Sequence, residues 1–497
     1  MQELKDSFWD YSSLIIFNVL AMIVGFGTMM LMTRSLGVAG FGTFNMMLLI
    51  VNLAYTFSVN WTNAALLRFG KEDHVRTGKL NAVFWSRTAV AAPMVVLAFI
   101  ILAIFKNTIT NYVGISTKVF LMIPALILVL GISDYVKFLF QAMRGLRQYA
   151  LVIFLEKVFV FVLIGAAWFL APGNRLPAIT AAYGVGFLIA SLIMAMRFPG
   201  RALVPVRVEP EMVKKIINFS YFILIGSIGV YVTNWIDLMV IDRYMTRADV
   251  GVYSLAYRVM TTLQQFSMLA IPLTLPMIIA LRAQGNTDTI KRYLMRFVPQ
   301  GIFFWSIILS LGLIACRPLL PLFFGKSYTP SLIPLYLLFI ALGMNLLACF
   351  HSCMITSYEL IRPYYIVTII AGILNLVLDF ILVPRIGISG AAVATLCVFS
   401  VTGITSQVLA NRVHGTFTWR QIAPMLTVAA VAAAALLVKG PAFYPLSLIV
   451  LAGCSIILLK TARLFEPGDE EFLNRITMPA GARRAAAAVY KTLMRLS

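Results

Sequence analysis

Leu14-Ile15-Ile16-Phe17-Asn18-Val19-Leu20-Ala21-Met22-Ile23-Val24-Gly25-Phe26-Gly27-Thr28-Met29-Met30-Leu31-Met32-Thr33-Arg34-Ser35-Leu36-Gly37-Val38-Ala39-Gly40-Phe41-Gly42-Thr43-Phe44 is the stretch that decides the fold. A helix needs about 20 apolar residues to cross the hydrocarbon of a bilayer. The run near 12–33 meets that length, and Arg34 ends it. Gly37, Gly40 and Gly42 then suit a tight turn with close packing before a second apolar run near 41–61. The first run is too long for a signal-peptide core and has no small-residue cleavage site, so it is expected to stay as a membrane helix.

The same test places further spans near 84–105, 119–141, 149–171, 177–196, 214–236, 250–280, 293–315, 329–352, 364–383, 387–410, 421–438 and 443–464. Composition agrees: 61% of residues are hydrophobic and 12% charged, with a mean hydropathy of +0.92. A soluble fold cannot hide that much apolar surface. The formal charge of +21 does not indicate nucleic acid, because the basic residues sit in short loops between apolar runs rather than on one soluble face. The five cysteines fall mostly inside apolar segments without metal-ligand spacing and read as small hydrophobic residues.

With the N-terminus in the cytoplasm, the inner loops and the tail carry 27 Lys and Arg and the outer loops ten. That bias predicts cytoplasmic termini on both sides of an even number of spans. A repeat is also legible. Thr33 to Phe44 lies over Asp242 to Tyr253, and Ala178-Ile179-Thr180-Ala181-Ala182 over Gly387-Ile388-Ser389-Gly390-Ala391, both at an offset of 209. An even number of helices separates corresponding points, so the repeats run in the same direction, with a substrate site expected where they meet.

The expected fold class is therefore an all-α polytopic membrane protein of about 14 transmembrane helices in two parallel six-helix repeats. The N-lobe is placed at 1–200 and the C-lobe at 201–410, with two further helices in 411–464. A cytoplasmic tail at 465–497 is read as ending in a basic amphipathic helix on the inner surface.

Charges inside spans are costly and mark functional candidates, with local ion pairs as the ordinary alternative. Asp134 and Lys137 stand three apart on one helix and can neutralise each other. Adjacent Glu156 and Lys157 point in different directions and need separate partners or a watery cavity. In the eighth span Arg258, Thr261 or Thr262, and Gln265 form one polar stripe, and Asn45, Asn52, Thr56 and Asn60 form its counterpart on the second. Either both stripes face one aqueous cleft or they bond across helices. Arg87 either snorkels to the surface or lines a cavity. Arg34, Asp242 and Arg243, at the outer ends of the first and seventh spans, are gate or anchor candidates. Asp379 with Asn375 four residues before it binds a cation or bonds a neighbouring helix.

His74, His351 and His414 are scattered, and no metal cluster, nucleophile motif or P-loop is present. No enzymatic activity and no cofactor is expected, and H+ or Na+ remains as the coupling ion of a secondary transporter or scramblase.

Arg34-Ser35-Leu36-Gly37, Gly40-Phe41-Gly42-Thr43-Phe44, Val250-Gly251-Val252-Tyr253 and Asn375-Leu376-Val377-Leu378-Asp379-Phe380, leading through Pro384 to Gly387-Ile388-Ser389-Gly390-Ala391-Ala392-Val393-Ala394-Thr395, resemble the polysaccharide transporter family of Wzx-type flippases. That family lies within the multidrug/oligosaccharidyl-lipid/polysaccharide exporter superfamily. The resemblance implies two six-helix lobes around a central cationic cavity in the inner membrane. It implies movement of a polyprenyl-diphosphate-linked oligosaccharide to the outer leaflet, among membrane lipids and with polysaccharide polymerase and chain-length proteins as partners. Arg or Lys in a low-dielectric cleft suits an anionic lipid diphosphate. Arg258, Lys157, Arg87, Gln265, Asn52 and Asn60 are the substrate-binding candidates. Arg34, Asp242, Arg243, Asp134, Lys137, Glu156 and Asp379 are the gating or ion-coupling candidates. A lipid II-type precursor flippase, a multidrug or cation antiporter of the same superfamily and a non-transporting scaffold are the alternatives.

Overall fold

The structure is a computed structural model that describes residues 2–466, apart from 172, 174, 199–203, 269–270, 414, 416–417 and 439. Its elements are helices, and among the described residues there is no strand. The chain begins with α1 (Gln2–Ser58), α2 (Asn63–Thr77), α3 (Asn81–Ile104), α4 (Lys106–Val113) and α5 (Thr117–Phe120). It continues through α6 (Met122–Ala142), α7 (Leu146–Leu170), α8 (Arg175–Ala195), α9 (Pro210–Tyr244) and α10 (Arg247–Met268). Next come α11 (Ile271–Ala283), α12 (Thr287–Arg292), α13 (Val298–Phe324) and α14 (Leu332–Ser357). The last four are α15 (Ile361–Ile386), α16 (Ile388–Arg412), α17 (Met425–Leu437) and α18 (Phe443–Ala462). Among the described residues eleven helical segments are long and apolar enough to cross a membrane. The protein is an all-α, multi-pass membrane protein.

The first of those segments, Ser13–Ser58, is 46 residues long and contains two of the expected spans. Gly37 divides it, with φ 67 and ψ −178, a conformation that an L side chain resists. Gly387 repeats the device between α15 and α16, with φ 66 and ψ −148. In both places a small residue and a second glycine follow: Gly37-Val38-Ala39-Gly40 and Gly387-Ile388-Ser389-Gly390.

One expected span differs from a helix long enough to cross a membrane. The described residues of the segment 250–280 lie in α10 and α11. A helical cap also moves the start of α10. The Thr246 N–H donates to Asp249 Oδ2 at 3.0 Å and the Asp249 N–H to Thr246 Oγ1 at 3.3 Å, a reciprocal capping box. The thirteenth span is only the 13 residues of α17, preceded by a 3-10 turn at Trp419–Gln421.

The chain forms two compact units, Met1–Ser254 and Leu255–Ser497. The division falls beyond the expected 200/201 boundary because α9 packs on α1, α2 and α3. Within the first unit α1 packs along α7, which also lies against α8. Within the second, α14 and α15 pack on α16, and α17 on α13 and α18. The expected amphipathic end of the tail lies outside the described residues.

A very close backbone approach in the first unit joins corresponding points of the sequence repeat. A Cβ on Gly42 would stand 2.0 Å from the Arg247 carbonyl oxygen, and one on Gly251 would stand 2.1 Å from that of Val38. Val38 with Arg247, and Gly42 with Gly251, are each 209 residues apart. The second half of α1 and the start of α10 therefore cross reciprocally, backbone on backbone.

Candidate functional site

In the first unit, α6 presents Ser133, Asp134 and Lys137 on neighbouring turns, and α7 presents Glu156. Lys137 Nζ lies 2.8 Å from Asp134 Oδ1 and 3.5 Å from Glu156 Oε1. The Ser133 hydroxyl donates to Glu156 and the Tyr55 hydroxyl to Asp134. The Asn63 amide donates to Asp134 Oδ2 at 2.8 Å and to Asn60 Oδ1 at 2.9 Å. Asn63 Oδ1 in turn accepts from Arg87, whose Nε donates to Thr62 Oγ1 at 2.9 Å. The Arg87 guanidinium stacks over the Tyr135 ring with 3.7 Å to the centroid.

One polar chain thus links α1, α2, α3, α6 and α7 and contains two cations and two carboxylates. Its charges balance, which is the condition for holding ions in a low-dielectric bundle. It has a wetter and a drier end. The side chains of Lys137 and Asp134 are 16% and 18% exposed, that of Glu156 4%, and Arg87 is 0% exposed. In this conformation Arg87 neither snorkels nor faces open space, because Thr62, Asn63 and Tyr135 enclose it. Lys157 departs from its neighbour Glu156 and lies 6.0 Å from the Phe187 ring of α8.

The candidates at the end of α9 separate. Asp242 pairs with Arg247 at 2.9 Å, while Arg34 and Arg243 are exposed. Arg247 also donates to the Tyr112 carbonyl and stands over its ring at 5.5 Å. Burial, then the nearby Asp242, push the Tyr112 phenol up to about 12. Burial likewise raises the Asp242 carboxyl, against the opposing pull of Arg247.

The remaining stripes resolve largely into local bonds. Asn45 donates to the Phe41 carbonyl and Asn52 to that of Leu48, both at 2.7 Å. Thr262 and Thr261 donate to the Arg258 carbonyl at 2.7 and 3.1 Å. Arg258 itself is half-buried and Gln265 exposed, while the neighbouring Gln264 bonds Asn345 of α14 at 2.9 Å. Asp379 is buried and accepts from Asn375 at 3.1 Å. Sequence reasoning missed Tyr55, Thr62, Asn63 and Ser133, which carry no charge. It also missed Arg247, for which the Thr246-x-x-Asp249 box is the available signal.

These features define a class: a helical, multi-pass membrane protein with a duplicated span pattern and a compensated ionic chain inside it. Residues 9–281 match the family of polysaccharide biosynthesis proteins, and the chain belongs to that family. A probable low-salt glycan biosynthesis flippase of Haloferax volcanii is 26% identical over 219 residues, 42% of this chain and 44% of that protein. The chain matches less than half the length of that curated relative. Among solved structures, the lipid II flippase MurJ in an inward closed conformation aligns with a TM-score of 0.66 at 14% identity, covering 90% of this chain and 98% of that one. An inward-facing multidrug resistance transporter of the MATE family, in the MOP superfamily, aligns at 0.60 and 14%, covering 81% and 97%. The fold is that of these transporters.

Proposed function

We propose that this protein is a flippase that moves a polyprenyl-diphosphate-linked oligosaccharide from the cytoplasmic to the outer leaflet by alternating access, as a secondary transporter without enzymatic activity. The observation that carries the reading is the reciprocal crossing at Gly42 and Gly251, set by an internal duplication in a chain of the polysaccharide biosynthesis family. A symmetric pair of close helix contacts is a natural two-state element, because packed crossings are either made or broken. The similarity to a glycan flippase supports the cargo class. A lipid II-type cargo shares the same diphosphate chemistry. A multidrug or cation antiporter is less well supported, since Asp134 and Glu156 are both engaged by Lys137.

The 27-to-ten distribution of basic residues supports an inner-membrane topology with both termini and the 197–215 connection on the cytoplasmic side. H+ or Na+ supplies the driving force, and polymerase and chain-length proteins receive the exported units. Cysteines placed at both termini and in the connection are expected to react with an impermeant thiol reagent only after the membrane is opened. The direct test reconstitutes the purified protein with a labelled lipid-linked oligosaccharide and follows its arrival in the opposite leaflet. No transfer above protein-free vesicles, with protein inserted and folded, removes the reading.

Arg258, Lys157, Gln265, Asn52 and Asn60 remain the cargo contacts to be tested, with Arg87 engaged only if its enclosure opens. Arg258→Ala is expected to abolish surface polysaccharide export in a flippase-null strain while inserting normally. Arg258→Lys restores it in part because the bidentate fork is lost, and Arg258→Glu is worse than Ala. Normal export by well-expressed Arg258→Ala and Arg258→Glu would take Arg258 out of the site.

A further inference from the structure

Along the first unit, the second half of α1 and the C-terminal half of α3 leave a trough roofed by α4. Its volume is about 520 Å³. Leu53, Ala54 and Phe57 line one wall, and Met94, Ala98 and Ile101 the other. The small side chains of Ala54 and Ala98 leave it room, and Phe105 and Thr108 lie where α3 passes into α4. Leu53, Leu97, Ile101 and Phe105 are exposed, so the trough is open along its length and its rim is apolar.

Three observations narrow what it holds. An α-helix with its side chains is about 10–12 Å across, so this volume holds roughly a single turn of one, and the occupant is a chain rather than a helix. From Met94 to Phe105, just past the end of α3, the trough runs along eleven helical steps, about 17 Å at 1.5 Å each. Lys106 follows Phe105 directly and is only partly buried, which places a cation at the end where α4 leaves the apolar wall. Hydrocarbon walls that finish at a cation fit an amphiphile with one flexible chain and an anionic head.

We infer that this trough is a binding site for the isoprenoid chain of the lipid-linked cargo, with the diphosphate at the Lys106 end. The inference rests on the flippase reading for the identity of the amphiphile. It assigns the chain a place on the protein, where bulk lipid would otherwise hold it.

The test uses vesicles containing the full-length protein and two probes with the same photoreactive group, one on a prenyl diphosphate chain and one on a phosphatidylglycerol acyl chain. The prenyl probe is expected to label Leu53, Met94, Ala98 or Ile101, and unlabelled prenyl diphosphate competes with it while phosphatidylglycerol does not. Ala98→Phe and Ala54→Phe fill the trough and should weaken that labelling on the order of tenfold. Ile100→Phe, exposed on α3 but outside the trough, leaves it unchanged. Lys106→Glu weakens labelling by the diphosphate and spares that by the uncharged prenol. Equal labelling by phosphatidylglycerol identifies ordinary boundary lipid and overturns the inference, as does full labelling of a well-folded Ala98→Phe. Labelling needs no translocation, so the two readings fail separately. A labelled protein that flips nothing removes the flippase reading, and a protein that flips normally with its trough filled removes this one.

Discussion

Lys137 joins the ionic chain because it touches both carboxylates. Lys137→Met leaves Asp134 and Glu156 close together in a poorly solvated place, and losing one member of such a pair costs about 3 kcal/mol. A clear loss of thermal stability in detergent is expected. Adding Glu156→Gln to Lys137→Met restores the charge balance, so the double variant should melt above the single one. Equal melting of the single variant and the wild type would show that the ions are solvated independently. The Asp134–Lys137 pair is legible in the sequence because an i, i+3 spacing is local. The reach of Lys137 to Glu156 and the link from Asp134 through Asn63 to Arg87 are not, since each depends on how α1, α2, α3, α6 and α7 pack. Arg87 shows the limit most plainly. Its position near the start of a span fits snorkelling, and only the tertiary structure shows Thr62, Asn63 and Tyr135 closing over it.

Helix breaks follow residues whose backbone physics is independent of context, so most are readable in advance. Gly37 and Gly387 divide helices where an L side chain is disfavoured, and the sequence places a turn at the first and an end between expected spans just before the second. The crossing at Gly42 and Gly251 has a sharper consequence. At 2.0 and 2.1 Å from a carbonyl oxygen, an added methyl group must push the helices apart by more than 1 Å to regain ordinary contact. Gly42→Ala and Gly251→Ala should therefore each disfavour the crossed state and reduce export strongly without reducing insertion. Gly40→Ala, whose new methyl would meet only the Leu36 side chain at 3.2 Å, should export nearly normally. Equal export by all three variants would mean that the crossing is not made during the cycle.

At the scale of the whole molecule, the duplication relates a pair of residues that can report on its motion. Arg34 and Arg243 are 209 residues apart, both are exposed, and each lies near the crossing: Arg34 four residues before Val38, and Arg243 four before Arg247. The Arg247–Asp242 pair and the bond from Arg247 to Tyr112 tie the start of α10 to α9 and α4, so that a shift of α10 carries this end of the unit with it. If export requires the crossing to open, holding its two helices together must stop the cycle at one point. Arg34→Cys with Arg243→Cys, joined by the shortest bifunctional thiol reagent that reacts, is expected to abolish export, and a reducible linker should allow recovery on cleavage. Lengthening the linker should restore export progressively, because a slack tether no longer opposes separation. Single-cysteine variants treated in the same way should remain active. A fully cross-linked protein that exports at the untreated rate would place the moving gate elsewhere and leave the glycine crossing as a fixed packing contact.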